Sequence, residues 1–161
     1  MTAVSLPVSA DLFEAAALPS DRLGQVDVES EWETSSVSVD QPRLEAIEAL
    51  IAVASGASEE GWDGYEGKRV LGSTLSKALA FLATLPSTAP APDISAHPDG
   101  EVAFYWSTGP RRTLSVSVNA AGRVSFAAIV GHQRLFGSEY LTDELPESIA
   151  LALRQLHSRA T

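Results

Sequence analysis

The chain has no cysteine. Disulfides, thiolate zinc sites, iron–sulfur clusters and cysteine nucleophiles are therefore excluded, and nothing marks an oxidising compartment. Long apolar runs are also missing: no stretch approaches the ~18 residues that a membrane-spanning helix takes. The N-terminal MTAVSLPVSADLFEAAAL lacks a basic start and a long apolar centre, so it does not read as a secretory signal. The expectation is a cytoplasmic protein without membrane association.

Positive charge is scarce and unevenly placed. The 161 residues carry 21 Asp and Glu against 11 Lys and Arg, a formal net charge of -10. Residues 1–66 hold fourteen acids and only two bases, Arg22 and Arg43, whereas residues 67–161 hold nine bases and seven acids. A phosphate backbone would be repelled by the acidic part, so no nucleic acid is expected through it. A basic protein partner is compatible with it.

Catalytic signatures are absent as well. The sequence contains no G-x-S-x-G, H-E-x-x-H or G-x-G-x-x-G. His97, His132 and His157 fall in a turn, a loop and a helix end, none with a carboxylate at the helical spacing of metal ligands. Gly67 to Thr74 (GKRVLGST) has two glycines at the spacing of a phosphate-binding loop. However, Ser73 stands where the lysine belongs, and a helix rather than a strand precedes. No catalytic residue, metal site or cofactor follows from these residues.

What is present reads as an α+β domain. Residues 1–40 are small and acidic and form a weakly structured extension, with residues 41–161 as the domain. Within the extension, Asp11–Leu18 has helix formers behind a capping Asp. From Val26 to Val39 the pattern alternates loosely and puts Asp27, Glu29, Glu31 and Glu33 on one face. Such a face needs solvent or a basic partner. A helix is predicted from Pro42 to Ala57, with Leu44, Ile47, Leu50, Ile51 and Ala54 as its apolar stripe. A second runs from Thr74 to Leu85, capped by Ser73, with Leu75, Ala78, Leu79, Leu82 and Leu85 inward. Pro86, Pro90 and Pro92 then make a stiff linker.

Beyond the linker the period changes to two. Val102, Phe104 and Trp106 share one strand face; Leu114, Val116 and Val118 share another; Val124, Phe126, Ala128 and Val130 continue the alternation. Pro98-Asp99-Gly100 and Asn119-Ala120-Ala121-Gly122 are turn signals. The last helix is predicted from Glu144 to Ser158, with Pro146 in its first turn and Ile149, Ala152, Leu153 and Leu156 inward. The expected architecture is an antiparallel meander of three to five strands, with two preceding helices and one C-terminal helix on one face.

The candidate interaction residues are Trp62, Asp63 and Tyr65, in the Gly-rich loop between the first two helices, and Glu29, Glu31 and Glu33 in the acidic segment. Two aromatics beside a carboxylate suit recognition. They equally suit a plug, with Trp62 packed under the sheet and Asp63 capping a turn, and the plug is the expected arrangement. Trp106 is expected in the core.

Trp62-Asp63-Gly64, Leu85-Pro86, Pro92, Pro98-Asp99-Gly100-Glu101-Val102 and Trp106 together resemble a group of small uncharacterised bacterial proteins with the pattern W-[DN]-G … L-P … P … P-D-G-x-[VI] … W. The resemblance covers roughly residues 60–150. It implies a bacterial, cytoplasmic, single-domain protein and brings no catalytic residue with it. Three functions follow as expectations: a non-catalytic protein-binding module of the antitoxin, immunity or defence-accessory kind; a small-ligand binder or enzyme using the Trp62–Tyr65 loop with Asp63, Asp99 or Glu101; or an acidic DNA mimic.

Overall fold

The computed structural model describes residues 41–158. The expected strand at 26–39, the helix at 11–18 and the acids Glu29, Glu31 and Glu33 lie outside the described residues.

Two helices come first, α1 (Gln41–Gly56) and α2 (Gly72–Thr84). Five strands follow: β1 (Asp93–Ala96), β2 (Val102–Gly109), β3 (Arg112–Val118), β4 (Arg123–Val130) and β5 (Gln133–Tyr140). Helix α3 (Glu147–His157) ends the described chain. The strands pair antiparallel in sequence order, so the sheet is a plain meander. This is the α+β architecture that the alternation predicts.

Register explains why one face is dry. Cross-strand rows run Ile94–Phe104–Val116–Phe126–Gly137, Ala96–Val102–Val118–Val124–Glu139 and Trp106–Leu114–Ala128–Leu135. In the three central strands all nine of these side chains are at most 9% exposed. They form one cluster with Ala46, Leu50, Ala78, Phe81, Leu82, Ile149, Leu153 and Leu156 from the three helices. Phe81 and Phe104 meet at the centre, with ring centroids 4.9 Å apart and planes tilted by 45°, a geometry that aromatic quadrupoles favour. At the β5 end Gly137 leaves room for the Phe126 ring; a Cβ there would lie 2.8 Å from it.

The helix termini are held by arginines. Arg112, at the start of β3 and on the inner face, donates from Nη2 to Gln155 O at 2.7 Å and to Leu156 O at 2.9 Å. Its Nε also donates to Leu156 O, at 3.2 Å. A register shift between Ser107 and Gly109 lets Thr108 add its hydroxyl to Leu156 O at 3.1 Å. The C-terminal carbonyls of α3, which have no partners within the helix, are thus satisfied by a cation at the negative end of its dipole. Arg43 does the same after α2, donating to Leu85 O at 2.7 Å. Trp106 is core as expected, and its indole N–H holds the proline linker through Pro90 O at 2.9 Å.

Several expectations are corrected. Leu44 and Ile51 are 54% and 49% exposed, and α1 instead buries Ala46, Leu50 and Ala54. Two alanines allow close approach to α2, so the covered stripe is narrower than the apolar one. Ser73 does not cap α2: the helix begins one residue before it, with Leu71 at the cap position and no side-chain cap bond. Pro146 sits at the N-cap of α3 rather than inside its first turn. Both edge strands, β1 and β5, had a weaker sequence signal than the three central ones.

Two variants test this frame. Phe104→Ala should cost about 3–5 kcal/mol in chemical denaturation, because it empties the centre of the core. Arg112→Lys keeps the charge but loses the fork, and should cost about 1–2 kcal/mol. A silent Arg112→Lys would show that the α3 cap is dispensable.

Candidate functional site

The Gly-rich loop between α1 and α2 is organised by its own side chains. Asp63 Oδ1 accepts from the backbone N–H of Tyr65 at 2.9 Å and of Gly67 at 3.0 Å. Gly61 N donates to Gly67 O at 2.7 Å and closes the loop. Gly67 lies against that carboxylate: a Cβ would stand 2.6 Å from the Asp63 carboxyl carbon, so the Asp63 side chain would have to move. Trp62 donates its indole N–H to Lys68 O at 2.9 Å. Its ring is half-buried against the core, not sealed beneath the sheet. Tyr65 stands out in solvent, 87% exposed. So Trp62 and Asp63 build the loop, and of the three only Tyr65 is displayed.

The structure also joins the two short motifs that lie far apart in sequence. Lys68 N donates to Pro98 O at 2.7 Å. Gly100, at φ +89°, lets Arg69 O approach to 3.0 Å of where a Cβ would stand, and Asp99 Oδ1 closes its turn through Glu101 N at 3.0 Å. Beside this junction lies a cleft of about 420 Å³ bordered by Glu60, Lys68, Arg69, Asp99, Glu101 and Asn119. Its charges are mixed, Arg69 and Glu60 facing each other at 3.7 Å. The amide oxygen of Asn119 is occupied by the N–H groups of Ala121 and Arg123. No catalytic pairing is assembled there.

A second region emerges only from the fold. The sheet's outer face carries the rows Asp93–Tyr105–Ser115–Ala127–Phe136 and Ser107–Thr113–Ile129–Arg134, with Arg123 opposite Tyr140. No described element packs on it. Tyr105, Ile129, Tyr140 and Phe136 are 41%, 39%, 69% and 83% exposed, while Ala103 is its one buried position. Apart from the terminal Asp93, the ionised groups on these strands' outer positions are Arg123 and Arg134. Among the described residues strand β5 pairs only with β4, and that pairing has no bulge, so one of its edges has no described neighbour. Free edges are natural sites of strand addition.

Sequence reasoning missed Phe136, Tyr140, Arg123 and Arg134. In β5 the inward positions are Gln133, Leu135, Gly137 and Glu139, so the usual apolar-inward alternation fails and the aromatics alternate outward instead. Arg134-x-Phe136-x-Ser138-x-Tyr140 is a period-two pattern whose apolar face is the exposed one.

Among the described residues no helix is long and apolar enough to cross a membrane, and no three His, Asp or Glu side chains gather into a metal-binding group. No protein-family model, curated protein sequence or solved structure matches the chain.

The loop makes a sharp prediction. Asp63→Asn keeps an acceptor at Oδ1 and should change stability by less than about 0.5 kcal/mol, whereas Asp63→Ala removes both acceptor contacts and should cost about 1–2 kcal/mol. Trp62→Ala should cost about 1–3 kcal/mol, below a fully buried tryptophan because the ring is half-exposed. Equal losses for Asp63→Asn and Asp63→Ala in thermal melts would mean that charge, not loop geometry, is what Asp63 supplies.

Proposed function

We propose that this chain is a non-catalytic protein-binding module whose docking surface is the outer face of the sheet with the β5 edge. The observation that supports this most is the exposure of Phe136 and Tyr140, at 83% and 69%, with Ile129 diagonal to Phe136 and Tyr105 across the same face. Singly exposed apolar side chains are ordinary, but four on one face of otherwise small residues support reading that face as an interaction surface. Tyr and Phe anchors surrounded by Ser and Ala give contact area at little entropy cost.

The charges on this face define the partner. Arg123 and Arg134 flank the aromatics, so the face suits a protein surface with an apolar centre and an acidic rim. This differs from the basic partner that Glu29, Glu31 and Glu33 would attract. Those acids lie outside the described residues, and a basic partner is the second reading. The antitoxin, immunity or defence-accessory role remains the class into which such a module fits. Trp62 and Asp63 are engaged in holding their own loop, which supports the binding reading over the enzyme reading that used them with Asp99 or Glu101.

Hydrogen exchange on the complex tests the choice. A partner captured by the full chain and identified by mass spectrometry should slow exchange in β4 and β5 and leave α1 unchanged. Replacing both Phe136 and Tyr140 with Ser should abolish capture with little change in melting temperature. Protection confined to residues 61–67, or capture abolished by reversing Glu29, Glu31 and Glu33 but not by the double Ser variant, would contradict the sheet-face reading.

A further inference from the structure

At one end of the outer face, two hairpin tips meet. Gly131 N donates to Arg111 O at 2.8 Å, which locks the β2–β3 turn to the β4–β5 turn. Between them lies a shallow cleft of about 330 Å³, lined by Arg111, Ile129, Gly131, His132 and Arg134. Every ionisable group lining it is basic, in a chain with almost twice as many acids as bases. The ion pairs among the described residues are Arg69–Glu60 and Arg154–Glu147, so neither Arg111 nor Arg134 has a carboxylate partner there.

The cleft's polar side chains are set to donate. Arg111 Nη1 lies 3.4 Å from His132 Nδ1. A guanidinium has no acceptor, so a hydrogen bond between them would have Nδ1 accepting and leave the other ring nitrogen as an N–H donor. The Arg111 carbonyl is already taken by Gly131. Arg111 is also the one described non-glycine residue with positive φ, at 59°. That conformation is ordinary for Gly and tolerable for Asn, but strained for a long side chain. Keeping an arginine there holds a guanidinium over the cleft at a local cost in backbone energy, a pattern that clusters at functional sites.

We infer that this cleft is an oxyanion site that receives a carboxylate or phosphate carried by the protein partner docked on the outer face. Two forked guanidiniums and an imidazole N–H match the donors such a group requires. The site continues the outer face through Ile129 and Arg134, both of which belong to it. A partner with an apolar centre would therefore place its acidic group here as it covers Phe136. A nucleic-acid phosphate fits less well, because beyond this cleft the outer strand positions carry only Arg123 and the terminal Asp93 as ionised groups, too few to track a polyanion.

The inference rests on the sheet-face reading for what carries the oxyanion, while the site itself can be probed without the partner. Isotope-labelled full chain is titrated with inorganic phosphate and, separately, with acetate, and amide shifts are followed. Phosphate should move Arg111 and residues 129–134. A response to acetate as well supports an Asp or Glu side chain as the occupant, and a response to phosphate alone supports a phosphorylated one. Arg134→Ala should weaken phosphate binding by about tenfold or more, with Arg134→Lys in between. Arg111→Gly should weaken it similarly while melting no lower than the natural chain, because it relieves the strained φ. Shifts elsewhere or none, phosphate binding unaltered in Arg111→Gly, or tighter binding of a single-stranded RNA oligomer than of a phosphopeptide would each overturn the inference. Failure of the exchange experiment above would sink the sheet-face reading and leave the phosphate titration to stand on its own.

Discussion

A sheet whose strands alternate apolar and polar residues has one face that must be covered and one that need not be. In β2, β3 and β4 the alternation is unbroken across Val102, Phe104, Trp106, Leu114, Val116, Val118, Val124, Phe126 and Ala128, all on one side. A shift of register by one residue would send a whole strand's apolar set to the other face. That constraint places α1, α2 and α3 on the same side and fixes where the polar connections run. The arginine caps complete the arrangement. Arg112 ties the end of α3 to the strand it covers, and Arg43 ties α1 to the end of α2.

The same constraint leaves the second face with no described element on it. Most of its residues are Ser, Thr or Ala, as suits a solvated face. Phe136, Tyr140 and Ile129, on β4 and β5, depart from that composition, as does Tyr105 on β2. The strained Arg111 lies at one end of this region and Arg123 at the other. Aromatic area, a strand edge with no described neighbour and guanidiniums with no carboxylate partner among the described residues are features that folding alone does not explain. They are what supports a docking role.

The sequence made the central fold legible because its strongest signals were local. Period-two runs marked β2 to β4, and Pro-Asp-Gly and Asn-Ala-Ala-Gly marked their turns. Leu79, Leu82 and the inward set of α3 marked two of the helices. The failures have physical causes. Leu44 and Ile51 belong to an apolar stripe, but alanines let α1 approach α2 along a narrower line, and methyl groups carry little weight in a hydrophobicity pattern. Phe81 lies between the leucines of α2, yet its ring fills the centre of the core against Phe104. Strand β5 was hidden because Gly137 and Glu139 occupy inward positions. The Trp62–Tyr65 loop was legible as a special segment but not as a closed unit. That depended on Gly67 lying against the Asp63 carboxylate, which no spacing rule reveals.

The central claim is that the fold of the described residues leaves the outer face of the sheet open for a partner. The absence of cysteine from the chain permits a direct measurement on the full-length protein. Ala127 and Ala128 are adjacent in β4; the first is exposed on the outer face and the second is 2% exposed on the inner one. Each is replaced singly by cysteine and its rate of maleimide labelling is compared with that of the unfolded chain. The account predicts labelling of Ala127→Cys close to the unfolded rate, and labelling of Ala128→Cys only as fast as the protein opens. Slow labelling at both positions in the isolated, monomeric protein would show that the outer face is already covered, and would contradict the claim.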